Sequence, residues 1–269
     1  MSSPQLSLQL YTVREALEND IDGTLERIAS FGIRNVEAFG FVGKATELRK
    51  ALDAAGLISP SGHANFLSDT LQFGEHTIEV PAYEVILDDA AEMGIEILID
   101  PMVMPHRWAN EDEVKRTAER LNNAIDAAAE RGMRLGYHNH SHEFHAEFNG
   151  VTAYETFAAL LDERAVLEVD VFWAAVAKHD PVALLQRLGD RVRLLHAKDG
   201  NPGEDPFLTG KIGEPMDQRV VGEGSLDMPA ILAAAPSAEY AAIEFDSYDG
   251  DLFDAINRSA QALREAGVQ

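Results

Sequence analysis

Short apolar runs alternate with longer amphipathic, alanine-rich segments along the whole chain. The short runs predict eight strands, at residues 5–11, 33–38, 57–63, 95–99, 133–138, 165–170, 191–196 and 240–245. The longer segments predict helices at 24–31, 45–55, 82–93, 112–131, 153–161, 226–235 and 252–266, with a further one beginning at Pro181. Several of these end at a glycine, which is a common helix stop.

Strict alternation of strands and helices predicts a parallel sheet with helices outside it. Eight such units in 269 residues match the roughly 250 residues of a (β/α)8 barrel. We therefore expect an α/β fold of the TIM barrel class, with residues 1–269 as one domain. A G-x-G-x-x-G sequence does not follow the first strand, which weakens the alternative of an open, dinucleotide-binding sheet.

Composition excludes several classes of protein. The formal net charge is −24, which repels nucleic acid and anionic membranes. The chain has no cysteine, so disulfides, thiolate metal sites and a cysteine nucleophile are excluded. The first residues lack a secretory pattern, and no apolar run approaches 18 residues. We expect a cytoplasmic protein.

Polar residues stand at the ends of most predicted strands, where the catalytic groups of a barrel lie. Because side chains alternate along a strand, His138 and His140 point the same way, as do His196 and Lys198, and Glu244 and Asp246. In each pair the first residue lies deeper and suits a metal, whereas the second suits a substrate. Imidazole and carboxylate ligands fit one divalent ion, with manganese as first choice and cobalt, magnesium, zinc or iron as alternatives.

The segments GIRNVEAFGF, LGYHNHSHEF, LEVDVFWA, LLHAKDG, VVGEGSLDMPAIL and IEFD resemble the sugar phosphate isomerase/epimerase superfamily, the xylose isomerase-like barrels. They occur in the family's order and cover most of the chain. Epimerases of this superfamily hold one divalent ion with Glu, Asp, His and Glu from strands five to eight. The resemblance implies that Asp170, His196 and Glu244 are ligands, with His138 in place of the first glutamate.

The resemblance also implies roles around the metal. We expect Glu37, His63, His140, Trp173 and Lys198 to bind substrate. The alternatives are a surface position for Glu37 and Lys198, and core packing for Trp173. Glu143 is expected to act as a base or to orient a ligand histidine, the alternative being a solvated loop charge. His142 and His145 receive no role, and His76, His106 and His179 are expected at the surface or in loops.

The predicted function is a metal-dependent isomerase or epimerase of a keto sugar or polyol. The metal would bind the carbonyl, Glu244 or Glu143 would remove the neighbouring proton, and an enediolate would form. One alternative is a lyase or dehydratase that uses the same enolate, as in the HNH-x-x-EF branch, where some relatives are inosose dehydratases. Another is a metal-free sugar-binding barrel. The −24 charge argues against the DNA-cleaving members of the superfamily.

Two further expectations concern surroundings of the site. The glycine-rich segment 199–224 is longer than most loops, so we expect it to close over the substrate. Few cationic side chains are placed for a phosphate group, which favours an uncharged sugar or an inositol-like ring. Homo-oligomers are common in the relatives, and the expected partner is a small sugar or polyol.

Overall fold

The computed structural model describes residues 3–74 and 76–269. Eight parallel strands within them form a closed barrel, and we number these β1 to β8 in chain order. Their bounds are Gln5–Gln9, Asn35–Phe39, Ile58–His63, Ile97–Asp100, Arg134–His138, Val166–Asp170, Val192–His196 and Tyr240–Ile243. Strand β1 pairs with both β2 and β8, so the sheet closes on itself. The predicted TIM barrel is confirmed.

Helices surround this barrel. Their bounds are Arg14–Asn19, Ile21–Ser30, Ala45–Ala55, Tyr83–Met93, Glu111–Ala129, Ala153–Leu160, Val171–Val176, Pro181–Leu188, Pro206–Thr209, Met228–Ala234 and Leu252–Glu265. Glycine was a useful signal for helix ends. Gly56 and Gly94 directly follow two of these helices and adopt φ values of 70° and 76°, which most other residues avoid. Within the described residues, none of the helices is both long and apolar enough to cross a membrane.

Some local structure differs from the prediction. The helices Arg14–Asn19 and Val171–Val176 were not predicted, and neither was the hairpin formed by strands Thr70–Phe73 and His76–Glu79. Segment 199–224 is not a plain loop: it contains the paired strands Asp199–Gly200 and Gln218–Arg219 and a helical turn between them. These elements are too short to produce a recognisable hydrophobic period.

The interior of the barrel changes from apolar to polar along its axis. Near the start of the strands, a small cluster of Ile97, Ile99, Val166 and Leu194 fills the barrel. Gly136 faces this cluster, and a Cβ atom there would stand 2.5 Å from Ile99 Cδ1 and 2.7 Å from a backbone oxygen. Beyond the cluster, the inward side chains are carboxylates and imidazoles. The apolar cluster therefore forms a closed base on which the polar groups rest.

Candidate active site

A cavity of about 500 Å3 opens at the C-terminal end of the strands. His63, His138, His140 and Glu244 contribute to its surface, and Trp173 forms part of one side. The strands place these residues together, as the sequence predicts for a barrel mouth. Their expected roles toward a metal and a substrate remain predictions.

Strand register brings the deeper polar residues side by side. Glu168 on β6 stands opposite His138 on β5, and Asp170 stands opposite His196 on β7. Because Glu168 and Asp170 are two residues apart, both side chains point into the barrel. They form a lower and an upper layer beneath the cavity.

Glu168 is the central acceptor of the lower layer, although it was not among the site residues predicted from sequence. Its Oε2 atom lies 2.5 Å from His63 Nε2 and 3.1 Å from His138 Nδ1. The same oxygen is 3.2 Å from His196 Nε2. A signal was available, because the alternation that places Asp170 inside the barrel places Glu168 there too. One carboxylate thus contacts three imidazoles from three strands.

Glu37 joins this lower layer from β2. Its Oε2 atom accepts a hydrogen bond from Gln9 Nε2 at 2.7 Å and lies 2.7 Å from His196 Nε2. The side chain is fully buried and does not line the cavity. The surface position considered for it is therefore wrong. Contact between Glu37 and a substrate stays a prediction, and its observed contacts are with histidines.

Lys198 occupies the centre of the upper layer. Its Nζ atom lies 3.0 Å from Asp170 Oδ2, 2.8 Å from Glu244 Oε2 and 2.8 Å from Asp246 Oδ2. The side chain is buried, so the alternative of a surface lysine is wrong. Three carboxylates already surround the ammonium group. The geometry thus makes Lys198 a counter-ion within the site, while its predicted contact with substrate is untested.

The histidines and carboxylates meet the spatial requirement for a metal site. Donor atoms of His138, Asp170, His196 and Glu244 all lie within 4.8 Å of one another, and every one of these residues is buried. A second set shares His138 and His196 and adds His63 and Glu168. The predicted ligands therefore converge, and a neighbouring set of donors lies directly below them.

The charges in the site also fit a divalent cation. Burial and Glu37 would raise the pKa of Glu168, but His196 and His63 bring it to about 2. Burial would lower the pKa of His63, but Glu37 and Glu168 raise it to about 10. Ionised carboxylates thus require positive charge beside them. A divalent ion supplies two such charges and leaves the imidazoles neutral, as metal binding requires.

Two buried oxygens support this fit. Glu37 Oε1 and Glu168 Oε1 have no hydrogen-bond partner. A buried carboxylate oxygen without a partner is costly, so the lower layer holds more acceptors than its own donors satisfy. This surplus favours an additional positive group in the site.

Asp170 has two separate functions in the structure. Its Oδ1 atom accepts the Trp173 N–H at 2.8 Å and caps the helix Val171–Val176. Its Oδ2 atom faces Lys198. Burial raises the pKa of Asp170 to about 6, despite the opposing effect of Lys198. The residue connects the upper layer to the helix that carries Trp173.

Trp173 is both buried and part of the cavity surface. Its ring centroid is 5.3 Å from that of His140, and its Nε1 atom has no hydrogen-bond partner. The two alternatives considered from sequence, core packing and a cavity wall, are therefore combined in one side chain. A role in contacting a sugar ring remains a prediction.

Glu143 lies in a closed pocket of hydrogen bonds away from the cavity surface. Its Oε1 atom accepts the Tyr137 hydroxyl at 2.8 Å, and its Oε2 atom accepts the His140 N–H at 2.9 Å. It is fully buried, so the solvated loop charge considered as an alternative is wrong. Its contacts hold the backbone at His140. Its expected role as a base stays untested.

The burial of Glu143 affects how the stability of the fold depends on pH. Burial raises its pKa to about 8, well above the ordinary 4.5. The folded state therefore binds the proton more tightly than the unfolded state, and this contribution to stability is lost as pH rises from about 4.5 to about 8. We expect Glu143→Gln to remove a slope of about 1.4 kcal/mol per pH unit.

The measurement is the free energy of unfolding of both proteins in urea, with chelator present, between pH 5 and pH 8. The other titrating groups are common to both proteins, so the difference between the two curves reports Glu143. Parallel curves for wild type and Glu143→Gln would show that Glu143 is ionised throughout this range.

Two aspartates hold segment 199–224 in place: Asp199 joins its two ends, and Asp205 connects it to the loop that follows β5. The Asp199 carboxylate accepts backbone N–H groups of Gly200, Gly222, Gly224 and Leu226 at 2.7 to 3.2 Å. Asp205 caps the helix Pro206–Thr209 and accepts the Ser141 hydroxyl at 2.8 Å. His145 Nε2 lies 2.8 Å from the same carboxyl group. These contacts bring the segment over the cavity, and they give His145 a structural position that sequence did not predict.

Comparison with known proteins places the fold within a family. A family model described as the xylose isomerase-like TIM barrel matches residues 25–268. The chain belongs to this family. The resemblance found in the strand-end motifs is thereby confirmed over nearly the whole length of the barrel.

Individual relatives of this xylose isomerase-like barrel are distant. A sugar phosphate isomerase/epimerase from Parabacteroides distasonis ATCC 8503 has a TM-score of 0.76 and 24% identity, covering 99% of this chain and 96% of its own. The IolI protein, solved with a zinc atom, has a TM-score of 0.69 and 14% identity, with 97% of each chain covered. Inosose dehydratase of Clostridium beijerinckii is 25% identical over 198 residues, which are 68% of this chain but only 64% of that enzyme.

Proposed function

We propose that this chain is a metal-dependent isomerase or epimerase of a keto sugar or polyol. The observation that carries the proposal is the convergence of His138, Asp170, His196 and Glu244 below the cavity. They come from four consecutive strand positions of the barrel, β5 to β8. Mixed imidazole and carboxylate donors fit manganese, cobalt, magnesium, zinc or iron, with manganese as our first choice.

The lower layer supports this choice of ligands over the neighbouring set. Glu168 faces His138 Nδ1 and His196 Nε2, which leaves the other nitrogen of each ring for the upper layer. Carboxylates commonly orient metal-binding histidines from behind in this way. Glu244 and His138 also line the cavity, whereas Glu168 does not. A reactive ion needs one side open to substrate.

Glu244 is the proposed proton carrier. A bound divalent ion supplies Lewis acidity toward a substrate carbonyl. Glu244 then accepts the proton from the carbon next to that carbonyl and returns it to the neighbouring carbon or to the other face. Its contacts with His196 and Lys198 both involve Oε2, so the other carboxylate oxygen serves the transfer. Lys198 holds the carboxylate in place.

The remaining residues are proposed to bind the substrate. His63 and His140 line the floor of the cavity beside the proposed ligands, where their rings can hydrogen-bond sugar hydroxyls. Trp173 offers an apolar face to the carbon side of a sugar ring. Glu37 and Lys198 lie beneath the floor, so we propose that they act on the substrate through His196 and Glu244.

The proposed function is tested by loading chelator-treated protein with manganese, cobalt, zinc or magnesium and incubating it with a panel of ketoses and inososes. Nuclear magnetic resonance of the products identifies isomers, epimers or dehydration products. Activity that returns with one of these ions and is lost again with chelator is the expected result. Tight sugar binding without a bound ion and without turnover would instead favour a sugar-binding barrel.

A dehydratase or lyase is the second candidate, and the similarity to inosose dehydratase favours it. The reaction shares the removal of a proton next to a carbonyl and then expels a leaving group. A neutral His138 in place of a glutamate removes one carboxylate that could carry a proton. This replacement disfavours a symmetric two-base epimerisation and is compatible with elimination.

Glu168 provides a prediction that is independent of the substrate. Changing Glu168→Gln removes the charge that faces the rear nitrogens of His138 and His196. We expect affinity for the divalent ion to fall by roughly 10- to 100-fold, the usual effect of losing such a partner. Calorimetric titration with manganese or zinc measures the change.

Glu155→Gln is a matched control, because Glu155 pairs with Arg187 on the outer helices. Its ion affinity is expected to equal that of the wild type. Unchanged affinity in Glu168→Gln would mean that this carboxylate does not orient the ligand histidines.

A further inference from the structure

The upper wall of the cavity is apolar, in contrast to its floor. Phe39, Ile78 and Ile212 line the cavity although they are 39%, 52% and 56% exposed. Large apolar side chains with this much exposure are unusual when they lie together around one opening. The cavity therefore combines a polar floor with an apolar rim.

The rim is assembled from three separate parts of the chain. Phe39 ends strand β2, Ile78 belongs to the hairpin strand His76–Glu79, and Ile212 follows the helix Pro206–Thr209. Asp205 connects the last of these segments to Ser141, and Asp199 joins the two ends of that segment. Because distant segments converge here, the apolar rim is a feature of the folded site and not of one hydrophobic stretch.

The charges around the cavity disfavour a phosphate group. Among the described residues that line it, Arg14 is the one lysine or arginine. Its guanidinium stacks on Tyr11 at 4.0 Å and donates to the backbone oxygens of Tyr11 and Asp246. Glu214 and Asp246 line the same cavity and repel an anion. Lys198 is enclosed by carboxylates below the floor.

The size of the cavity indicates a ligand larger than a single sugar ring. Its volume of about 500 Å3 falls in the range of sites that hold drug-sized ligands. A single sugar ring on the floor leaves the rim without a partner. A substituent attached to that ring would lie between Phe39, Ile78 and Ile212 and remove their apolar surface from water.

We propose that the substrate is an uncharged sugar that carries both a carbonyl group and an apolar aryl or alkyl substituent, with the sugar on the polar floor and the substituent against the rim. This inference rests on the proposed function, because it assigns a sugar to the floor. It adds a binding site for an aryl or alkyl group and excludes sugar phosphates as the preferred substrates.

The test uses manganese-loaded protein and matched ligands. Methyl glycosides, phenyl glycosides and 6-phosphates of glucose, galactose and mannose are titrated by calorimetry. The glycosides have no free carbonyl, so they serve as unreactive analogues that report binding alone. We expect the phenyl glycoside of at least one sugar to bind about tenfold more tightly than its methyl glycoside, or about 1.4 kcal/mol. The 6-phosphate is expected to bind no more tightly than the methyl glycoside.

Two variants test whether the rim is responsible for the tighter binding of the phenyl glycoside. Ile212→Ser and Ile78→Ser are each expected to reduce the phenyl-over-methyl preference at least threefold while leaving affinity for the methyl glycoside unchanged. Ile58→Ser is the matched control, since Ile58 is 58% exposed at the opposite end of the barrel, where β3 begins. The preference is expected to be unchanged in this control.

Equal affinity for phenyl and methyl glycosides, tighter binding of a 6-phosphate, or an equal loss in Ile58→Ser would overturn the inference. If free ketoses are turned over but no glycoside binds, the inference fails and the proposed function stands. If neither ketoses nor glycosides bind or react, both fail.

Discussion

Asp170→Asn is expected to lose tight binding of a divalent ion and, with it, activity. The variant removes the charge of Oδ2 but keeps an oxygen that can accept the Trp173 N–H. Asparagine and aspartate are similarly effective helix caps, so the helix Val171–Val176 should keep its start. We expect the loss of ion affinity to exceed the roughly 10- to 100-fold effect of removing an outer partner.

Bound metal is measured by mass spectrometry after dialysis, and stability by urea unfolding of the metal-free protein. Because burial raises the pKa of Asp170, a neutral amide should not destabilise the metal-free fold. His196→Ala should also lose the ion, and His106→Ala serves as its control because His106 is exposed. Stoichiometric metal in both Asp170→Asn and His196→Ala would place the ion elsewhere.

Glu244→Gln is expected to reduce turnover by roughly 10²- to 10⁴-fold, the usual contribution of a positioned acid or base. The substitution keeps the size of the side chain but removes its ability to accept a proton. In deuterated water, one-base transfer by the wild type should return part of the substrate hydrogen to the product. Elimination would instead yield an unsaturated or dehydrated keto product.

Asp246→Asn separates proton transfer from general charge effects, because Asp246 also contacts Lys198. We expect it to retain the isotope pattern of the wild type even if its rate changes. An active Glu244→Gln, together with full solvent deuterium in the wild-type product, would contradict Glu244 as the proton carrier.

The sequence was sufficient to predict the barrel because its elements repeat one local pattern. Strands end and helices begin within about three residues of their predicted places, and glycines such as Gly56 and Gly94 mark the helix ends. The hairpin of Thr70–Phe73 and His76–Glu79 escaped prediction, since each strand has only four residues and lies outside the regular alternation.

The site was predictable in outline, because parallel strands bring their ends together. The contacts between side chains within the site could not be predicted from the sequence. Glu168 lies within an apolar run and resembles an isolated charge, although the alternation places it beside Asp170. The enclosure of Lys198 by three carboxylates depends on side chains from separate strands. No spacing along the chain specifies such distances.

The two oxygens of Asp170 connect metal binding with the shape of the cavity. Oδ1 holds the first turn of the helix that carries Trp173, and the same carboxylate is one of the proposed metal ligands. An ion that fixes this carboxylate also fixes the cap. Binding linkage is reciprocal. If the ion raises the affinity of a ligand that rests on Trp173 by some factor, that ligand raises the affinity of the ion by the same factor. Substrate and ion would then be retained together and released together.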